Sequence, residues 1–428
     1  MKVAILGFGI EGRSAYEYYL SKGCEITVLD ENENPKQELP SGIEKVNGKG
    51  AFDDLNDFDI VIRTPSIRPD RIKTKAKIWS ATNEFFSECP AEIIGVTGTK
   101  GKGTTCTLIS MILKNSGKTV HLVGNIGVPA LAELSKISSN DLVVYELSSF
   151  QLWDIEKSPH VAVWLMMDVD HLDIHKNMFE YTEAKSNITN YQSQDDILVH
   201  HPSNTYLQNY LGKTKAKKIP YLEPPGAYIQ DGKIIISGND ICELEEVGLI
   251  GEHNLDNISA AITAVWQYTN DISAIRKAVT EFKGLEHRLE FVREIGGVSF
   301  YNDSQSTTPV STKAAIQAVK GRKVIIIGGS DKGADYHDLI QSLDQETDKV
   351  ILIGESSNVM ETIFTELGMS NYLKLGSSSS MKEIVDQAFQ ISSGSGSVIL
   401  SPACASFDMF KSYIDRGDQF KQAVNNLG

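Results

Sequence analysis

The stretch GVTGTKGKGTT, residues 95–105, follows a strand-like run from Ala91 to Val96 and leads into a helix-like run, TCTLISMILK. Glycines let a backbone close around a phosphate. Helix-start N–H groups point at it, and a lysine there offsets its charge. Gly98, Thr99, Lys100, Gly101, Lys102, Gly103 and Thr104 are therefore candidates for cradling nucleotide phosphates. The general pattern, G-x-x-x-x-G-K-[ST], is broken twice. The first glycine is Gly95 rather than residue 96, and Gly103 stands where a hydroxyl usually holds magnesium.

Three further groups could work with such a loop. VYELSSFQLW places Glu146 at the end of an apolar strand-like run, and MMDVDHLDIH places Asp170, His171 and His175 at the end of the next. EYTEAKSNITNY places Lys185 in a helix-like segment. Parallel sheets bind ligands beyond their strand ends, where a carboxylate and a histidine can complete a magnesium shell. Each also has a plain reading: a solvated glutamate, a chance histidine spacing, an exposed helix lysine. GEHNLDNISAAI, residues 251–262, reads as a helix start capped by Asn254 or Asn257. Near the beginning, Gly7, Gly9 and Gly12 form G-x-G-x-x-G after VAIL, and Asp30 ends the next strand-like run. This is diphosphate-binding chemistry. Any nucleotide diphosphate fits it, a UDP-sugar as well as NAD, so NAD is only one of several ligands; the rival reading is a tight turn with no ligand.

The elements that must position these residues alternate along the chain. Short β-branched runs (KVAILG, EITVLD, DIVIRT, DLVVYEL, HVAVWLM, KVIIIGG, KVILIG, GSVILS) are separated by segments of helical length. The class is α/β with parallel sheets. The pattern groups into residues 1–90, 91–284 and 285–428. Within residues 222–249 a D-G turn between β-rich runs predicts a small antiparallel patch.

A chain of 428 residues exceeds one ordinary core, so several domains are expected. The formal net charge of −15 argues against a nucleic-acid face, and an anionic substrate needs locally placed lysines and arginines. The five cysteines are scattered without C-x-x-C, which suggests free thiols in a reducing compartment rather than zinc or disulfides. MKVAILGFGIEGRS is too short and glycine-broken for a signal peptide, and no apolar run reaches the ~18 residues of a membrane span. The expectation is a soluble cytoplasmic protein.

The blocks GVTGTKGKGTT, GNIG, ELSSFQL, DHLDIH, EAKSNI, GEHNLDN, GLEHRLE, NDSQSTTP and LSPACASFDMFKSYIDRGDQF occur in the order seen in the Mur ligase family. The resemblance covers essentially the whole chain. The last block resembles the branch that joins D-glutamate to UDP-N-acetylmuramoyl-L-alanine in peptidoglycan synthesis. The resemblance implies three α/β domains: a Rossmann-like UDP-binding domain (1–90), a central P-loop ATPase domain (91–284) and a Rossmann-like amino-acid-binding domain (285–428). It implies UDP rather than NAD at the first glycine turn, with Gly9, Ile10, Glu11, Asp30 and Thr64 of TPSI around it. Asn125, Ser148 and Gln151 would lie near the sugar-phosphate part.

The family's own loop, T-G-[ST]-x-G-K-[ST]-T, makes the displaced first glycine ordinary, whereas Gly103 is still a departure. By the same resemblance Lys102 meets the β- and γ-phosphates, and Glu146 and His171 each hold a magnesium ion. Thr104 is a further metal donor, and Lys185 carries a carbamate that faces a cation. Asn254 and Asn257 would contact adenine, Arg288 would reach ATP, and Asp303 would touch its ribose. Lys332, Thr307, Ser406 and Tyr413 would bind the incoming amino acid. The expected cofactors are ATP, two magnesium ions and carbamylated Lys185. The expected partners are UDP-N-acetylmuramoyl-L-alanine, D-glutamate and ATP, with no nucleic acid and a monomeric state. DSQSTTP departs from the family's D-S-K-A-T-N-P at Gln305, Ser306 and Thr308. L-Glutamate or another acceptor, an NAD-dependent oxidoreductase and a non-catalytic nucleotide-binding regulator are the alternatives.

Overall fold

The computed structural model describes residues 1–32, 44–172, 174–249, 251, 253–331 and 333–427. The chain runs β1 (Lys2–Leu6), α1 (Ile10–Ser21), β2 (Glu25–Asp30), β3 (Glu44–Asn47), β4 (Ile60–Arg63), β5 (Lys77–Ser80) and α2 (Ala81–Glu88). These strands form a parallel sheet in the order β3-β2-β1-β4-β5. Chain direction across the sheet reverses between β1 and β4, so the turns after these two strands lie side by side, at the position where such sheets take ligands.

Next come β6 (Glu92–Thr97), α3 (Lys102–Asn115), β7 (Val120–Gly124), α4 (Ala130–Glu133), β8 (Leu142–Glu146), α5 (Ser149–Leu152), β9 (Val161–Trp164), α6 (Met178–Asn190), β10 (Ile197–His200), α7 (Thr205–Leu211) and β11 (Lys217–Pro220). Their sheet is parallel, in the order β11-β10-β9-β6-β8-β7. The residue types explain why. Ile93, Ile94 and Val96 on β6, and Val161 to Trp164 on β9, are buried, as expected where helices cover both faces. An antiparallel patch follows, β12 (Tyr228–Gln230), β13 (Lys233–Ile236) and β14 (Asn239–Glu243), where the D-G turn predicts it. Helices α8 (His253–Val265) and α9 (Ile272–Glu281) return to pack on α3.

The remaining chain forms β15 (Glu290–Ile295), β16 (Val298–Asn302), α10 (Pro309–Ala318), β17 (Lys323–Gly328), α11 (His337–Gln341), β18 (Asp348–Ile353), α12 (Ser357–Glu366), β19 (Tyr372–Gly376), α13 (Met381–Ser392), β20 (Gly396–Leu400) and α14 (Tyr413–Asn425). Its sheet has the order β15-β16-β20-β17-β18-β19, parallel except for the antiparallel β15–β16 pair.

The described residues separate into two compact units, one of Met1–Val247 with Glu252–Phe282 and one of Gly248–Gly251 with Lys283–Gly428. The first two sheets therefore share a unit, although their sequence patterns group separately. Their core is continuous: Phe85 and Phe86 of α2 pack on Tyr145 of β8, with ring centroids 5.4 and 5.8 Å apart. No helix among the described residues is long and apolar enough to cross a membrane.

Candidate active site

The turn after β6 carries the densest chemistry. Gly98 and Gly101 have φ of +150° and +83°. A Cβ on Gly98 would lie 2.6 Å from the Leu165 side chain, and one on Gly101 would lie 2.0 Å from Asn257 Oδ1. Both positions thus demand glycine for conformation and for space. Helix α3 begins at Lys102 with Gly101 as its N-cap and no side-chain cap bond, the kind of helix start that can receive an anion. Lys102 Nζ folds back to the carbonyls of Gly98 (3.1 Å) and Thr99 (2.9 Å). Gly103 and Thr104 are buried in the first turn of the helix, and Lys100 is exposed. Thr99 Oγ1 donates to the Asp168 carbonyl and lies 3.2 Å from the Tyr181 hydroxyl.

Strand register brings the other candidates to this turn. Glu146 pairs with Val96 and Trp164 with Thr97, so the ends of β8 and β9 flank the loop. Lys185 Nζ donates to the same Gly98 carbonyl (2.8 Å) and to Thr97 Oγ1 (3.3 Å). The Lys185 side chain is only 1% exposed. Burial pushes its amine well below the usual lysine range, Lys102 pushes the same way, and Asp170 and Glu146 oppose both. These four groups and the loop therefore share one electrostatic environment. His171, at φ +54°, is exposed and sits beside Phe150 and Tyr181, with ring centroids at 5.0 and 6.0 Å. His175 is buried, with Nε2 2.9 Å from Ser149 Oγ and its ring stacked on Phe150. Burial lowers it to about 4, so it is a neutral structural ring.

Asn254 and Asn257 are not helix caps. Helix α8 starts at His253, and both asparagines lie inside it. The Asn257 amide donates to Asn254 Oδ1 (3.0 Å), while its own Oδ1 abuts Gly101 and lies 3.5 Å from Thr105 Oγ1. The asparagines are thus tied to the phosphate loop itself, a long-range packing that a local capping pattern cannot reveal.

The first glycine turn divides its labour. A Cβ on Gly7 would meet Thr64 Oγ1 at 2.6 Å and one on Gly12 the Gly7 carbonyl at 2.1 Å, whereas Gly9 has nothing within 4 Å. Gly9 is the open side of the turn, and Ile10 next to it is also exposed. Asp30 accepts from the Phe8 amide (2.8 Å) and from the backbone and side chain of Asn32, so it braces the turn. Thr64 Oγ1 donates to the Leu6 carbonyl (2.7 Å). Gln151 donates to Glu11 (2.6 Å) and accepts from Ser148 (2.9 Å), which joins three candidates in one chain of bonds. Asn125 is exposed just beyond β7.

In the second unit the loops after β16, β17 and β20 lie together. Asp303 Oδ1 accepts from the Leu289 amide and Oδ2 from Ser401 Oγ (2.6 Å). Burial raises this carboxyl to about 6 against those bonds. Arg288 is exposed and donates to Gln305 Oε1 (3.2 Å). Ser406 is buried, Thr307 exposed, and Tyr413 edge-on to His287 at 6.0 Å. Lys332 lies outside the described residues. Sequence reasoning missed Arg416, whose side chain is 0% exposed. It donates to Ser304 Oγ (2.9 Å), the Ser304 carbonyl (2.9 Å) and the Cys404 carbonyl, clasping two of the loops. Burial lowers its pKa to about 10. The next residue, Gly417, leaves room for His287, since a Cβ there would lie 2.2 Å from Nδ1. Cys404 packs its thiol near Tyr336 and Ser356 and is structural.

Fold and loop together define a class: a P-loop α/β protein with a glycine-turn diphosphate sheet before it and a further α/β unit after it. The chain belongs to the Mur ligase family. The MurD-like N-terminal domain of Mur ligases matches residues 1–82, the Mur ligase middle domain 96–265, and the Mur ligase glutamate ligase domain 287–404. It is 37% identical over 444 residues to the UDP-N-acetylmuramoylalanine–D-glutamate ligase of Clostridium kluyveri, covering 100% of this chain and 97% of that one. The Acetivibrio thermocellus ligase of the same name is 38% identical over 452 residues, covering 100% and 96%. Among solved structures, the UDP-N-acetylmuramate–alanine ligase of Thermotoga maritima shares the fold at a TM-score of 0.61 and 18% identity over 100% of both chains. The MurF ligase of that organism, solved with ADP, does so at 0.58 and 18%, over 100% of this chain and 95% of that one. Membership in this family removes the NAD-dependent oxidoreductase from the alternatives.

Proposed function

We propose that the chain is an ATP-dependent ligase that joins D-glutamate to UDP-N-acetylmuramoyl-L-alanine in peptidoglycan precursor synthesis. The observation that carries this reading is the meeting of Lys102 and Lys185 on the Gly98 carbonyl, with Glu146 in register two residues earlier. Amide formation from a carboxylate needs an activated leaving group. The L-alanyl carboxylate oxygen attacks the γ-phosphorus of ATP, the bond to the β-phosphate oxygen breaks, and ADP departs. The glutamate amine then attacks the acyl phosphate carbonyl, loses a proton, and inorganic phosphate leaves.

The residues present fit this nucleotide. Glycines at 98 and 101 are sterically obligatory, the start of α3 has no side-chain cap, and Lys102 is the first residue of that helix. Catalysis of phosphoryl transfer is chiefly positioning and charge neutralisation. Lys102 swings from the loop carbonyls to the β- and γ-phosphates, and Asn257 holds the loop. Among the described residues no group of three or more His, Cys, Asp and Glu is placed to hold a metal ion by itself. A magnesium ion here would draw on Glu146 together with phosphate oxygens and water, which suits its octahedral habit. When bound, magnesium neutralises charge on the transferring group. Thr104 and His171 are the other assigned donors.

Lys185 is the proposed carbamate. A neutral amine attacks carbon dioxide and releases a proton, and burial shifts this amine towards its neutral form. The product is an anion suited to a cation-rich site. UDP is assigned to Gly9, Ile10, Glu11, Asp30 and Thr64, with Asn125, Ser148 and Gln151 towards the sugar. Asn254, Asn257, Arg288 and Asp303 are assigned to the nucleoside of ATP. Thr307, Lys332, Ser406 and Tyr413 are assigned to the amino acid. The three domains are set at residues 1–90, 91–284 and 285–428, the chain acts as a monomer, and a cytoplasmic site suits its substrates. Hydroxylamine trapping tests the intermediate. With ATP and UDP-N-acetylmuramoyl-L-alanine but no glutamate, the enzyme should form the alanyl hydroxamate. ADP formation without any hydroxamate would contradict an acyl phosphate.

A further inference from the structure

Arg68 directly follows the Thr64–Ile67 turn, and its side chain is 18% exposed. It donates to both oxygens of Glu180 (2.8 and 3.2 Å) and both of Asp70 (2.9 and 3.0 Å), and to the Ile174 carbonyl. Its guanidinium lies over the Trp153 ring at 4.9 Å. These partners belong to separate segments of the first unit. Glu180 is in the first turn of α6, five residues before Lys185. Ile174 is three residues after His171. Trp153 follows α5, which carries Gln151. One guanidinium thus spans the glycine-turn sheet, the histidine loop and the lysine helix.

The ordinary alternative is a surface ion pair worth little. Three features set Arg68 apart. Its planar fork makes four hydrogen bonds to two carboxylates and a fifth to a carbonyl, which a lysine cannot match. Its carbonyl contact falls on a loop holding His171 at φ +54°, a conformation that persists only when the surroundings over-determine it. That loop is pinned on its other side by His175, boxed among Phe150, Trp153 and Tyr181. Arg63, five residues earlier, makes the parallel grip. It is buried and donates to Asp154 (2.7 Å), to the Phe150 carbonyl (3.0 Å), and to the carbonyls of Thr64 and Ile67 in the turn itself.

We propose that Arg68 is a positioning residue for the ligase reaction, coupling the turn that takes the UDP substrate to the His171 loop and the Lys185 helix. The proposal rests on the site assignments made above. Substrate on the 64–67 turn would tighten the Arg68 contacts, and these would fix the loop beside the phosphates.

The test combines kinetics with hydrogen exchange on the full chain. R68A should lower kcat by about tenfold and raise the KM for the UDP substrate, with the KM for glutamate within about twofold. R68K should recover part of the loss. The double variant R68A/E180A should be no worse than the poorer single, a coupling of about fivefold or more. In the wild type, UDP-N-acetylmuramoyl-L-alanine should slow amide exchange in residues 168–176. In R68A and R68K it should do so less. A purely structural arginine would lower the Tm without changing the substrate-induced protection. Unchanged protection in R68A, or single effects that multiply in the double variant, would overturn the proposal. Full activity of K185A would instead contradict the Lys185 assignment and leave the Arg68 result standing.

Discussion

Lys185 donates to a carbonyl and a hydroxyl in a buried setting beside Lys102, an arrangement that favours the neutral amine. Burying the charged form would be costly, so burial favours the amine that can take up carbon dioxide. Lys185→Ala should lose nearly all activity and regain a measurable part when a short carboxylic acid is added. Full activity without the additive would contradict the carbamate. Gly103 is the second case. At the proposed magnesium site it would remove one hydroxyl, but Glu146, phosphate oxygens and water would suffice for six ligands. Gly103→Thr should lower the magnesium concentration needed for half-maximal rate or leave it unchanged. A native chain with no ATP turnover and a variant that gains it would mean the loop is broken. Both residues were legible in sequence because their signals are local. A lysine in EAKSNI and a glycine after G-K are read from a few neighbours, and the packing of α6 on the loop then brings Lys185 to the Gly98 carbonyl.

At the scale of elements, strand runs and glycine turns were readable for the same reason, and their hydrophobic pattern matches the sheets formed. The arginine clasps were not. Arg63 meets Asp154 across 91 residues, Arg68 meets Glu180 across 112, and Arg416 meets Ser304 across 112. No window reveals such pairings, and an arginine in a motif looks like any solvated cation until its burial is known. The asparagines of α8 illustrate the same limit, since their partner is the phosphate loop and not their own helix start.

Two outcomes follow at this scale. The Arg68 hydrogen bond pushes Asp70 down to about 2 and holds Glu180 below its usual range. Carboxylates with depressed folded pKa values stabilise the protein above their ordinary pKa, and that contribution is lost as pH falls through the folded values. The Tm should therefore drop between about pH 5 and pH 2, and the drop should be shallower in R68A. An identical pH profile in the two proteins would contradict the pairing. Arg416→Ala should cost on the order of 3 kcal/mol, because several charged hydrogen bonds are lost in the interior. Denaturant unfolding followed in the second unit checks this, and a loss below about 1 kcal/mol would show that the clasp is idle.

For the whole molecule, a net charge of −15 must admit three anionic substrates. Lys100 and Lys102 of the phosphate loop supply positive charge locally, while the acidic balance of the chain as a whole discourages polyanions. The class of chemistry was legible because the loop, the strand-end acid and the helix lysine each lie within a short recognisable block of sequence. It did not settle the stereochemistry of the acceptor, which depends on the shape of a pocket whose assigned residues, from Thr307 to Tyr413, lie far apart in the chain. Gln305 adds to this, since it accepts from Arg288 where the related pattern has a lysine. The measurement that bears most directly on the account is phosphate release with ATP, magnesium and UDP-N-acetylmuramoyl-L-alanine, run separately with D- and L-glutamate. The expected result is release that requires all three substrates and is strongly preferred with D-glutamate. Release without the UDP substrate, comparable rates with both enantiomers, or a preference for L-glutamate would contradict it.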